Sequence, residues 1–148
     1  TVIDGTMRLP HAAERETVDR LGPRSGRLHL VADIDGRPVG VLELLTWPDE
    51  PRHRHVGEVN LVAVHPDWVG RGAGRALMEA AIELADDWLN IRRLSLVVFV
   101  DNLVAVELYR RLGFVVEGTM AGYGFTRGRY VDAHAMARLR DDAERVGR

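Results

Sequence analysis

The stretch HPDWVGRGAGRALM, residues 65–78, joins an apolar β-type run to the strongest helical pattern in the chain through glycines at positions 70, 72 and 74. Upstream, EVNLVAVHP reads as a strand that ends where Pro66 confines His65 to extended backbone. Downstream, over residues 74–89, apolar side chains recur at 77, 78, 81, 82, 85, 88 and 89 with acids on the opposite face, which is the period of an amphipathic helix. A strand that hands its chain through a short loop to a one-faced helix needs a sheet for that helix to cover, so the pattern predicts a mixed α/β layer around a central sheet.

The other segments agree. HAAERETVDRLG, residues 11–22, reads as a short amphipathic helix closed by Gly22. In RLHLVADIDGRPVGVLELLTW, two β-type runs flank Asp35-Gly36, the strongest short hairpin signal, so residues 28–34 and 38–47 should pair antiparallel. RLSLVVFV is a nearly continuous apolar run, which fits a strand covered on both faces. DNLVAVELYRRLG starts with a capping residue, carries arginines in its last turn and stops at Gly113 as a helix should. Residues 114–139 read as two strands joined through a glycine-rich connection at 126–129, and the polar tail after Arg140 should fray. The order is helix, hairpin, strand, helix, strand, helix, two strands, and 148 residues suit a single domain spanning 1–148.

Composition narrows the chemistry. A formal charge of -2 leaves no electrostatic footprint for nucleic acid or an acidic membrane surface. No apolar stretch approaches the roughly 18 residues of a membrane span and no signal-like segment opens the chain, so a cytoplasmic location is the default. Cysteine is absent and all 20 basic residues are arginine, which removes disulfides, thiolate metal ligands, a cysteine nucleophile and Schiff-base lysine.

In the loop itself, alternate glycines let a ligand approach the backbone closely, and the N–H groups that open the next helix make an anion site with the helix dipole. Arg71 and Arg75 add positive charge where a pyrophosphate or a 3'-phosphate could lie. A mobile connection whose glycines only permit turns explains the same spacing. The lysine-containing phosphate loop is excluded, and the dinucleotide fingerprint fails because the position three after Gly72 is Arg75.

VAVHPDWVGRGAGRALM, VFVDNLVAVELYRRLGF and EGTMAGYGFTRGRYVDAHAMAR together resemble the acetyl-CoA motif, the following strand and helix, and the C-terminal strands of the GNAT N-acetyltransferases. The series is most similar to bacterial amino-acid N-acetyltransferases of that superfamily and covers about residues 6–139. The resemblance implies the GNAT fold, a mixed and mostly antiparallel central sheet flanked by helices, with one more strand and helix expected before Thr1. It also implies acetyl-CoA as cosubstrate, no metal, a small-molecule amine acceptor, no nucleic-acid or membrane partner and a homodimer. In its phosphate-binding pattern [R/Q]-x-x-G-x-[G/A], Gly72 and Gly74 fit and Val69 replaces the usual polar residue. The cradle carried over is Val69, Gly70, Arg71, Gly72, Ala73, Gly74 and Arg75, with main-chain amides as its principal donors.

Asn102 and Tyr109 are seven residues apart, close to two helical turns, so both lie on one helix face. An N-cap explains Asn102 and an amphipathic anchor explains Tyr109. The resemblance adds a bond from Asn102 to the pantetheine arm and makes Tyr109 the acid that protonates the departing CoA thiolate, a role a phenol of pKa about 10 can fill at neutral pH. It also implies that the strand ending at Val64 splays from its neighbour, with the Val62 amide polarising the acetyl carbonyl and Val64 bonding pantetheine. Glu58 is the candidate base for the incoming ammonium, directly or through water; its strand parity matches Asn60, Val62 and Val64 unless a bulge intervenes. A solvent-facing strand residue explains Glu58 equally.

Residues 7–10, 52–55 and 122–130 lie near the acceptor cleft by family analogy, which nominates Leu9, Pro10, Arg54 and Arg129 as acceptor contacts. A carboxylate on the acceptor would want Arg8, Arg54 or Arg129. His53 and His55 lack the further ligands a metal would need, and His65 and His134 have no assigned role. The sequence therefore predicts acetyl transfer by direct attack of a free amine, with a small amino acid as acceptor. A protein N-terminus, polyamine or antibiotic as acceptor, or a non-catalytic acyl-CoA-binding module, are the alternatives.

Overall fold

The computed structural model describes residues 26–140. The helix expected at 11–22, the acceptor contacts Leu9 and Pro10 and the tail after Arg140 lie outside the described residues. Within them, β1 (Arg27–Ile34), β2 (Arg37–Thr46), β3 (Val56–Val64), β4 (Arg93–Phe99), β5 (Val115–Thr126) and β6 (Arg129–Leu139) form one sheet in the order β1-β2-β3-β4-β6-β5. Two α-helices, α1 (Ala73–Glu83) and α2 (Leu103–Arg111), follow β3 and β4. Only β3 and β4 pair in parallel.

Both hairpins are closed by two residues with positive φ, Asp35 and Gly36 at 49° and 78°, and Arg127 and Gly128 at 51° and 75°. That backbone matches the twist of the flanking strands, so the longer connection expected at 126–129 contracts to two residues. β3 to β4 and β4 to β5 are successive crossovers between parallel strands moving in one direction across the sheet. Right-handed crossovers then place α1 and α2 on the same face.

The core forms under those helices. Leu77, Met78, Ala80 and Ala81 of α1, Val106 of α2 and Phe114 pack on Leu30, Leu42, Leu44, Val59, Leu94, Leu96, Val98 and Met136 of the sheet. A Cβ at Gly40 would stand 3.1 Å from a δ-methyl of Leu77, so glycine there lets α1 sit close to β2. Among the described residues helices cover only this face, which corrects the reading of RLSLVVFV as covered on both: Leu94, Leu96 and Val98 are buried, whereas Val97 and Phe99 are 40% and 45% exposed.

The long helix expected over 74–89 also changes character. After Glu83 it widens into a π-type turn, Leu84–Trp88, closed by the Leu89 N–H to the Leu84 carbonyl at 3.0 Å. The wider turn shifts the angular positions of its own side chains, so Trp88, counted in the apolar stripe, is 78% exposed. Arg138 holds this turn with two bonds to the Asp86 carboxylate at 3.0 and 2.9 Å.

Arg93 on β4 forms a two-pronged ion pair with Glu117 on β5, one prong at 2.9 Å, beside the register break between Val116 and Gly118. The Arg93 guanidinium holds the Glu117 carboxyl below its ordinary value. A depressed carboxyl stabilises the fold above the unfolded value, about pH 4.3, and loses that contribution as pH falls through the folded value. Glu117→Gln should therefore cost up to about 1 kcal/mol at pH 7, the pair being partly exposed. The gap between parent and variant should narrow as pH falls below the ordinary carboxyl value in denaturant titrations.

Candidate active site

β3 is the strand from which the site is built. It pairs with β2 over nearly its whole length, from Thr46↔Gly57 to Gly40↔Val64. Its pairing with β4 stops at Val59↔Leu96, although β3 runs on to Val64 and β4 to Phe99. Beyond that point the two parallel strands diverge, and the main chain of residues 60–64 has no strand partner on the β4 side.

The divergence begins at a bulge. Glu43 pairs with Leu61 and Leu44 pairs with Val59, leaving Asn60 as the extra residue. The bulge inverts the alternation of side chains. Val59 belongs to the core under α1, Val62 packs against the same core, and Val64 lies 3.9 Å from where a Gly74 Cβ would be. Glu58 therefore does not share a side-chain face with Val62 and Val64, which corrects the parity read from sequence. It lies half-buried on the opposite face, across from Leu45 and Ser95, and its carboxylate has no partner among the described residues.

After β3 the chain makes a short 3₁₀ turn, Pro66–Trp68, capped by the His65 ring, which accepts from the Asp67 N–H at 3.2 Å. Gly70 and Gly72 then take φ of 80° and 86°, a region closed to most side chains, with open space where a Cβ would be. Gly72 caps α1 without any side-chain bond, and the first backbone bond of the helix runs from the Ala76 N–H to the Gly72 carbonyl at 2.9 Å. The N–H groups of Ala73, Gly74 and Arg75 are thus left for an external acceptor. The Val69 side chain is 67% exposed and brings no polar group. The Arg71 guanidinium stacks 4.8 Å above the Trp68 ring, and Arg75 Nε bonds Glu79 at 2.8 Å, so both cations are anchored at this mouth.

α2 starts at the same edge of the sheet, at the carboxyl end of β4. Asn102 caps it, its Oδ1 accepting from the Ala105 N–H at 3.3 Å, which leaves the side-chain NH₂ to donate elsewhere. Tyr109 lies half-buried on that helix, its ring 6.0 Å from Phe114, and its hydroxyl has no partner among the described residues. Burial pushes the phenol above its ordinary value, so it stays protonated at neutral pH.

Of the three arginines nominated for an acceptor carboxylate, Arg8 lies outside the described residues, and Arg54 and Arg129 do not come together. Arg54 lies in the loop before β3, its Nε donating to the Pro48 carbonyl at 2.9 Å. Arg129 opens β6, which runs antiparallel to β4, so it stands at the opposite edge of the sheet. His53 bonds Glu50 at 3.1 Å and His134 bonds Thr119 at 2.9 Å. Among the described residues no group of three or more side chains is arranged to hold a metal ion.

Sequence reasoning missed one group. The Glu43 carboxylate is buried on the sheet face opposite the helices, bonded by Asn60 Nδ2 at 2.7 Å and His29 Nε2 at 2.9 Å, with Arg27 at 3.6 Å. Its signal was a single acid inside the apolar run VLELL.

Geometrically the site joins an uncapped helix start suited to phosphate oxygens, a cleft lined by main-chain groups and a protonated phenol. Comparison with known proteins gives the family. The Acetyltransferase (GNAT) family model matches residues 5–114. The L-amino acid N-acetyltransferase AaaT of Escherichia coli (strain K12) is 41% identical over 135 residues, 91% of this chain and 82% of that protein. Spermidine N(1)-acetyltransferase of the same strain is 31% identical over 72% of this chain and 55% of that protein. Among solved structures, yncA from Salmonella typhimurium with its cofactor acetyl-CoA has a TM-score of 0.73 at 26% identity, covering 90% of this chain and 73% of that one. A match across most of the chain, on a sheet whose β3 and β4 part beside an uncapped helix start, makes this protein a member of the GNAT family and an acetyl-CoA-dependent N-acetyltransferase.

Proposed function

We propose that this enzyme acetylates the α-amine of a free amino acid by direct attack within a ternary complex. The observation that carries the acceptor is the 41% identity to an L-amino acid N-acetyltransferase over 91% of the chain. A polyamine is the second reading, favoured by the 31% identity to spermidine N(1)-acetyltransferase.

The roles follow from the site. Amides of residues 69–75 hold the pyrophosphate at the start of α1, with Arg71 and Arg75 adding charge. The Val62 amide, on the stretch of β3 free of β4, polarises the acetyl carbonyl, while Val64 and the Asn102 NH₂ bind the pantetheine arm. Glu58, without a partner among the described residues, takes the proton of the acceptor ammonium directly or through water. An amine of pKa about 8 needs only modest help to lose it. The amine nitrogen then bonds the thioester carbon, the C–S bond breaks, Tyr109 gives its proton to the CoA thiolate, and the proton shed by the new amide nitrogen returns the phenolate to phenol through water. Because Arg54 and Arg129 stand at opposite edges of the sheet, only one of them can hold the acceptor carboxylate; Leu9 and Pro10 are the further acceptor contacts of this reading. A cytoplasmic location and pairing of two copies through the C-terminal strands belong to the same reading.

Three measurements test it. In a panel of free amino acids, spermidine and short peptides followed by CoA release, amino acids should give the highest kcat/KM; turnover confined to spermidine or to peptides overturns the acceptor assignment. Tyr109→Phe should lower kcat about 100-fold while the Kd for CoA, from calorimetry, moves less than about twofold. Arg71→Ala and Arg75→Ala should each raise the KM for acetyl-CoA about three- to tenfold. If neither moves it, the main chain alone holds the phosphates.

A further inference from the structure

The polar group around Glu43 has no part in the roles above, yet it is attached to the point where β3 leaves β4. Asn60 is the one residue of β3 between Val59 and Val64 without a pairing partner on β2. In place of a ladder contact, its side chain reaches across to Glu43 Oε1 at 2.7 Å. The other carboxylate oxygen is taken by His29 Nε2 at 2.9 Å, with the Arg27 guanidinium 3.6 Å away. Both oxygens are therefore engaged, and the carboxylate is fixed with one oxygen aimed at the bulge. Asn60 is the largest of the influences that hold the Glu43 carboxyl below its ordinary value.

The position of the bulge decides which amides of β3 face the cleft. A strand has a period of two, so moving the extra residue by one place would turn the intervening side chain and its N–H to the other side. Placed beyond Val62, the bulge would carry Val62 off the core and aim its amide away from the divergence. That slip would also strand a buried carboxylate without its closest donor, and charge-assisted bonds of this kind are the costly ones to lose.

We propose that Glu43 is a positioning residue: through its hydrogen bond to Asn60 it pins the β3 bulge and so fixes the Val62 amide toward the acetyl carbonyl. The proposal rests on the role given to Val62 above. Glu43 acts through Asn60 and the main chain and does not touch substrate.

Kinetics and one spectroscopic signature test it together. Asn60→Ala and Glu43→Ala should lower kcat about 10- to 100-fold with the KM for acetyl-CoA changed less than about twofold, since the phosphate loop is untouched. Glu43→Gln should recover most of the rate, because its amide oxygen can still accept from Asn60. In protein labelled with ¹⁵N-valine, the Val62 amide proton of the parent should shift between the CoA and acetyl-CoA complexes, and Asn60→Ala should abolish that difference. A Val62 signal that responds to the acetyl group equally in parent and Asn60→Ala, with kcat unchanged, overturns the clamp. A parent in which Val62 shows no acetyl-dependent shift overturns the role of Val62 itself, and the clamp with it. The Asn60 side chain is exposed, so its removal keeps the test decisive even if Glu43→Ala fails to fold.

Discussion

The structure depends on β3 being held along its length on one side and for only four residues on the other. Antiparallel bonds to β2 run to Val64, whereas parallel pairing with β4 ends at Val59↔Leu96. A sheet strand normally spends its N–H and C=O groups on both neighbours. Here one side is released at the bulge, and unspent main-chain groups line an opening between two strands that α1 and α2 brace from the same face. The core enforces the arrangement, because Val59 before the bulge and Val62 after it pack into the same cluster under the helices.

The parallel relation of β3 and β4 has a second consequence. Each strand is followed by a helix, so both helices begin at one edge of the sheet, at the mouth of the opening. One start is bare: Gly72 supplies no side-chain cap and leaves N–H groups for an anion. The other is capped by Asn102, which spends its oxygen on the Ala105 N–H and keeps its NH₂. A phosphate chain and an amide-bearing arm ask for this division of donors. Half-buried Tyr109, near the other end of its helix, brings a phenol whose proton is retained because its surroundings disfavour the charged form.

Much of this was legible in the chain. Asp35-Gly36 located the first hairpin, the helical stripe from 77 to 85 located α1, and Asn102 was readable as a cap. What misled were features whose cause lies outside the local segment. RLSLVVFV is apolar on both faces, yet two right-handed crossovers put both helices on one face and leave Val97 and Phe99 exposed. Trp88 kept the helical period, but the π-type turn after Glu83 moved it off the core. Glu58 kept the parity of Val62, but one extra residue in β3 placed it on the other face.

By itself the sequence determined the order of the elements from β1 to β6, the glycine-capped helix start and the family, since these rest on turn chemistry, hydrophobic period and short motifs that act within a few residues. Only the tertiary structure decided where β3 parts from β4, which face Glu58 presents, and that Arg54 and Arg129 stand at opposite edges. Those outcomes are set by register between strands distant in sequence. A strand's own pattern of alternation cannot reveal where a neighbour will force an extra residue into it.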